Sequence, residues 1–69
     1  MHAYLPHILK IGSKSIAVRD LSDASFAYQD ERDGNPNLPT GSIVIDGTEY
    51  QIDRQARVFA DGALVMEAQ

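Results

Sequence analysis

Ten carboxylates, six cationic side chains and two histidines are the groups of this 69-residue chain best equipped for chemistry. Acid–base catalysis needs such groups where burial or a neighbour moves their pKa values apart. The carboxylates here fall on a helical segment and on turns, where water solvates them. The histidines, His2 and His7, both lie near the N-terminus, and His2 is expected to lack fixed structure. There is no Cys, and no Ser sits in a nucleophile-elbow setting. Catalysis is therefore not expected, and neither is a cofactor. Asp30-Glu31-Arg32-Asp33-Gly34-Asn35 has the residue types of a calcium loop without its spacing. The glycine comes one position early, Arg32 occupies a ligand position, and no Glu closes the loop. No metal is expected.

The placement of charge says more than its sum of -4. Lys10, Lys14 and Arg19 precede every acid in the chain. Asp20, Asp23, Asp30, Glu31, Asp33, Asp46, Glu49 and Asp53 then face Arg32 alone. The last sixteen residues balance Arg54 and Arg57 against Asp61 and Glu67. So acidic a middle segment repels phosphate backbones, which argues against direct nucleic-acid binding. It suits a basic partner surface, because opposite potentials steer encounter; it also serves simply to keep a small protein soluble. Phe26 stands among Asp23, Gln29, Asp30 and Asp33, the makeup of an interface hot spot with a charged rim. The competing role for Phe26 is a hydrophobic staple onto Leu21. Arg57 is expected to pair with Glu31 or Asp33, the other reading being contact with a partner by Arg54 and Arg57.

Elements that could position these residues are marked by local signals. His7–Ile11 and Ser15–Arg19 read as strands around Gly12-Ser13-Lys14, where Gly supplies the positive φ of a type II′ turn. Two-residue and four-residue loops both bring Leu9 and Ile11 to one side with Ile16 and Val18, so the register stays open. A helix is expected over about 23–33, with Ser22 as N-cap, Asp23 at the positive end of the macrodipole, and Leu21 and Phe26 at the staple positions. Gly34 in a left-handed C′ conformation and Pro36 would end it. Ala24, Ala27 and Tyr28 form a narrow apolar stripe, led by Leu21. Phe26 lies opposite, with Asp23, Asp30 and Asp33.

Asp46-Gly47 between Ser42–Ile45 and Thr48–Ile52 is a type I′ hairpin pattern. A two-residue turn sets Ile43, Ile45, Tyr50 and Ile52 on one face and Val44, Glu49 and Gln51 on the other. Asp61-Gly62 repeats the pattern, pairing Val58 with Val65 and Phe59 with Leu64. Both faces of that last hairpin are apolar. One suits the helix; the other suits the N-terminal hairpin or a second chain. The whole reads ββαββββ, an α+β domain with one helix on an antiparallel sheet of four to six strands. A mostly-β barrel plugged by the helix is the other arrangement.

Length allows one domain, residues 1–69, burying roughly 60% of its unfolded surface. Without Cys there are no disulfides, which fits a reducing cytoplasm. Met1–Pro6 lacks a basic leader followed by an apolar run, so no signal peptide is expected. No apolar stretch approaches the ~20 residues of a membrane span.

The run Asp23-Ala24-Ser25, Tyr28, Arg32-Asp33, Leu38-Pro39-x-Gly41, Gly47-x-x-Tyr50-x-Ile52 and Ala56-Arg57-Val58-Phe59 resembles small uncharacterised proteins of phages, prophages and plasmids. Their pattern has Gly where Ala56 stands and Trp where Phe59 stands. The resemblance covers about residues 22–60 and implies a fold and a mobile-element origin, not an activity. Size, acidity and element order are also similar to several anti-CRISPR proteins. That implies a stoichiometric inhibitor, a DNA mimic in the bacterial cytoplasm. It would occupy a basic nucleic-acid-binding surface of a host protein or ribonucleoprotein. The partner-binding residues would be Asp23, Phe26, Asp30, Glu31, Asp33, Asp46 and Glu49. Two alternatives stand beside it. One is an assembly module, a homodimer through the C-terminal hairpin. The other is weak nucleic-acid binding through Lys10, Lys14 and Arg19.

Overall fold

Three two-residue turns set the strand frame. At Asp46-Gly47 and Asp61-Gly62 both central residues have positive φ, 52° and 82° in the first and 52° and 78° in the second. That is the type I′ geometry whose twist matches the flanking strands. At Gly12-Ser13 only Gly12 has positive φ, 60°, as a type II′ turn requires. The computed structural model of the protein describes residues 6–67, and the expectation for His2 lies outside them.

Around these turns run β1 (His7–Ile11), β2 (Lys14–Val18), α1 (Leu21–Gly34), β3 (Gly41–Ile45), β4 (Thr48–Ile52), β5 (Val58–Ala60) and β6 (Ala63–Met66). The six strands make one antiparallel sheet in the order β2-β1-β3-β4-β5-β6. The α+β reading with the order ββαββββ holds. The barrel does not, because β2 and β6 are open edges. The first hairpin takes the two-residue register, Leu9 opposite Ile16. It extends the sheet beside β3 and does not cover the back of the C-terminal hairpin.

Register decides the two faces. Leu9, Ile11, Val18, Ile43, Ile52 and Val58 share the face under α1 and are buried there. Ile45, Tyr50 and Met66 pack partly against that core. Ile8, Lys10, Val44, Glu49, Gln51, Phe59 and Leu64 alternate onto the other face. The expected Val58–Val65 pair is replaced by Val58–Met66, while Phe59–Leu64 holds. Val65 is the extra residue of a β-bulge, which a count from the turn cannot reveal.

The helix starts earlier than expected. Asp20, not Ser22, is the N-cap; its carboxylate accepts the Asp23 N–H at 2.8 Å. Asp23 in turn accepts the Arg19 N–H at 2.9 Å, so two carboxylates hold the free amides of the entrance. Leu21 becomes the first helical residue and packs against the core, so Leu21 and Phe26 no longer stand at the staple positions. At the other end Gly34 stays within the helix without positive φ. Asn35 caps it instead, its N–H reaching Arg32 O and Glu31 O, and Pro36 blocks continuation.

The inner face of α1 carries little volume besides Tyr28, so polar ties supplement packing. The Tyr28 hydroxyl donates to Pro39 O at 2.9 Å, and the buried Ser25 hydroxyl donates to Ala56 O at 3.0 Å. Gly41 lies under the ring: a Cβ there would sit 3.2 Å from Leu9 Cδ1 and 3.3 Å from Tyr28 Cδ2. Ala56 is fully buried at φ 63°, a left-handed conformation costing an L-residue roughly 1–2 kcal/mol. It sits in a turn closed by Asp53 N–H to Arg57 O at 3.0 Å and Ala56 N–H to Asp53 O at 2.9 Å.

Candidate functional site

The outer face of α1 follows from helical geometry. Residues four apart are surface neighbours, so Phe26 and Asp30 adjoin, and Asp33 continues the row one turn on. Asp30 and Asp33 are exposed, and Phe26 is 56% exposed. With the staple gone, most of the ring faces water.

Cross-element pairs sort the carboxylates. Lys14 Nζ on β2 donates to Glu31 Oε1 at 2.6 Å. Arg19 Nε approaches Asp23 Oδ2 at 3.7 Å. Arg57 pairs with Asp53 at 2.9 Å, not with Glu31 or Asp33. Among the described residues Asp20, Asp30, Asp33, Asp46, Glu49, Asp61 and Glu67 have no ion-pair partner. Along α1, the carboxylates in the row with Phe26, Asp30 and Asp33, are thus unneutralised, while Asp23 and Glu31 on the flanks are balanced.

The remaining expected binding residues lie elsewhere. Asp46 is at the β3–β4 tip, at the same end of the sheet as the α1 entrance and away from Asp30 and Asp33. Glu49 is on the helix-free face, where it lines a groove with Ile8, Lys10 and Val44. Its side chain accepts from Gln51 Nε2 at 3.1 Å. Phe26, Asp30 and Asp33 therefore form one surface, Asp23 and Glu31 border it, and Asp46 and Glu49 are not part of it.

The three cations of the first hairpin are likewise divided. Lys14 is engaged by Glu31 on the helix side, Arg19 by Asp23, and Lys10 points to the helix-free face. Arg32 donates to Arg54 O at 2.9 Å, tying the helix exit to the turn after β4. The last turn of α1, Ile11, Lys14, Leu38 and Pro39 enclose an open cleft of about 700 Å³, which the Lys14–Glu31 pair borders.

Among the described residues two groups have displaced pKa values, and both serve the fold. Burial raises the Tyr28 phenol above its ordinary value; nearby Arg54 and Arg32 offset part of that, and Asp53 adds to it. Burial would raise Asp53, but hydrogen bonds from the Arg57 N–H and side chain and the Gln55 N–H outweigh it, helped by the Arg57 charge. The net effect holds its carboxyl below the usual range. The supposed calcium run is helical through Gly34. Among the described residues no group of three or more His, Cys, Asp or Glu side chains could hold a metal ion.

No protein-family model matches this chain, and neither a curated protein nor a solved structure does. Several residues of the segment from Asp23 to Phe59 have clear structural work. Ala24, Ser25 and Tyr28 are the buried side of α1; Pro39 and Ala56 accept its two side-chain hydrogen bonds; Gly41 makes room for the ring. Ser25 and Gly41 carry no periodic signal that marks them as core. Asp53 and Gln55 do carry a local one: an Asp whose carboxylate takes the N–H two residues on is an Asx turn, seen here at 2.9 Å.

Proposed function

We propose that the protein is a non-enzymatic binding module that docks the outer face of α1 onto a basic surface of a partner protein or ribonucleoprotein. One observation carries the reading: the exposed Phe26 ring lies in a row with the unneutralised carboxylates of Asp30 and Asp33. An aromatic anchor supplies apolar burial at the centre of a contact, and free charges at its rim supply orientation and encounter rate. The resemblance to small mobile-element proteins supports a nucleic-acid-binding host complex as the partner, such as a CRISPR effector, with the protein acting as its inhibitor. Direct nucleic-acid binding has less support, since Lys10, Lys14 and Arg19 do not share one surface.

The test is capture from bacterial lysate at low salt, followed by binding measurements on the captured protein. A basic partner should be retained by the native chain and released as salt rises past the screening range. Capture should be lost with Phe26→Ser and with Asp30→Lys/Asp33→Lys. Equal retention by those variants would rule out the helix face. If the captured protein binds nucleic acid, adding the native chain should displace that nucleic acid.

A further inference from the structure

The cleft beside the last turn of α1 combines features that a flat acidic surface lacks. Its floor is apolar: Ile11 and Leu38, each 5% exposed, and the Pro39 ring. Its helix wall is negative. Asp30 and Glu31 line it, and so do Gly34 and Asn35 at the end of α1, where the macrodipole places its negative pole. The opposite wall is the β1–β2 turn with Gly12, Ser13 and Lys14. Gly12 lets that wall come close, since a Cβ on it would sit 3.1 Å from Pro39 Cγ. The cleft already holds one cation. Lys14 Nζ reaches across from the turn to Glu31 Oε1 at 2.6 Å, with its side chain 58% exposed. Asp30, in the same wall, has no such partner. Two negative side chains and one positive one therefore line the hollow, and a net negative charge remains in it.

We propose that this cleft receives an arginine side chain of the basic partner protein that docks on the outer face of α1, a reading that rests on that docking. Asp30 connects the two places: it adjoins Phe26 along the helix and lines the cleft. Charge decides the sign of the occupant, because a free carboxylate and a helix C-terminus both favour a cation. Shape decides its kind. The apolar stem of arginine can cover Ile11, Leu38 and Pro39. Its planar fork of donors can reach Asp30 and the carbonyls that end α1 together. A guanidinium is also more weakly hydrated than an ammonium, which suits a hollow with an apolar floor. At about 700 Å³ the cleft has the size of a small-ligand site, so the side chain enters beside Lys14 without displacing it. Lys14 sets the strength: its charge neutralises Glu31 and opposes an incoming cation, so the native cleft binds weakly.

The probe is the peptide acetyl-Gly-Arg-Gly-amide, titrated into the full chain at low salt and followed by amide NMR. Shifts should centre on Gly12, Ser13, Lys14, Gly34 and Asn35, with a Kd of about 1–10 mM. The citrulline peptide keeps the shape without the charge and should leave those amides in place. The lysine peptide should bind at least about threefold more weakly than the arginine peptide. Asp30→Asn should weaken the arginine peptide about three- to fivefold. Lys14→Met keeps an apolar stem and frees Glu31, so it should strengthen binding by about the same factor. Both positions are exposed, so both variants should stay folded by circular dichroism.

Shifts centred on Asp46 or Asp61, equal binding of the lysine and arginine peptides, or a Lys14→Met chain that binds no better would each overturn the proposal. Phe26→Ser must leave the titration unchanged. Loss of the peptide with Phe26-dependent capture intact removes the cleft and keeps the helix face. Peptide binding without such capture keeps the cleft as a guanidinium site and removes the helix face.

Discussion

The two faces of α1 are built on opposite terms. The inner face offers Ala24, Ser25 and Tyr28, small in volume apart from one ring, and compensates with hydrogen bonds to two separate loops. The outer face offers Phe26, Asp30 and Asp33, with bulk and charge to spare and no described partner. The inner face is dictated by the fold it holds together, whereas the outer face is made of residues that no packing rule dictates.

That contrast breaks most sharply at Tyr28. Removing a fully buried aromatic costs about 3–5 kcal/mol, and a domain this small has only about 3–5 kcal/mol in total. Tyr28→Ala should leave the chain largely unfolded at 25 °C by circular dichroism. Gly41→Ala comes next. Its new methyl must push Leu9 or the Tyr28 ring at 3.2 and 3.3 Å, and overpacking of this kind costs about 1–3 kcal/mol. Ser25→Ala leaves Ala56 O buried without its donor, about 1–2 kcal/mol by chemical denaturation.

The contrast is also written in pH. The Tyr28 phenol is raised by burial, so the folded state favours its neutral form. Its contribution is complete below about pH 10 and is lost as pH rises through the folded value. Asp53 is lowered, so its contribution is complete above about pH 4 and is lost as pH falls through its folded value. Urea midpoints across pH should fall on both limbs. Tyr28→Phe should flatten the alkaline limb and Asp53→Asn the acid one. The smallest effect is expected outside: Phe26→Ser should move the urea midpoint by no more than about 0.5 kcal/mol equivalent. A larger loss would show that the ring belongs to the fold and not to a binding surface.

What could be read from the residues alone divides along physical lines. The Asp-Gly hairpins were legible because two successive positive φ values leave few residue choices. Strand faces followed by parity. The helix entrance was misplaced because Asp20 and Ser22 are both good caps, and burial of Leu21 decides between them. Gly34 resembled a left-handed stop, but Pro36 makes one unnecessary. The Val65 bulge was invisible because it depends on how β5 and β6 twist together. The sorting of charge was invisible too. Lys14 and Glu31 lie seventeen residues apart, and only the fold shows that Glu31 is spent while Asp30 is not. For the candidate site, residue types were legible and their grouping was not: Asp46 and Glu49 were near in sequence to an acidic helix and belong to other surfaces.

The residue out of step at Val65 has one more consequence. β6 closes one side of the sheet with four apolar residues, Ala63 to Met66, and carries neither charge nor Pro to deter a strand arriving from outside. Regular spacing of amides along such a rim is what lets molecules add one after another into fibres. The bulge interrupts that spacing halfway along the strand and twists the rim away from the plane of the sheet. The open rim at β6 thus carries its own obstacle to growth of the sheet by edge-to-edge addition.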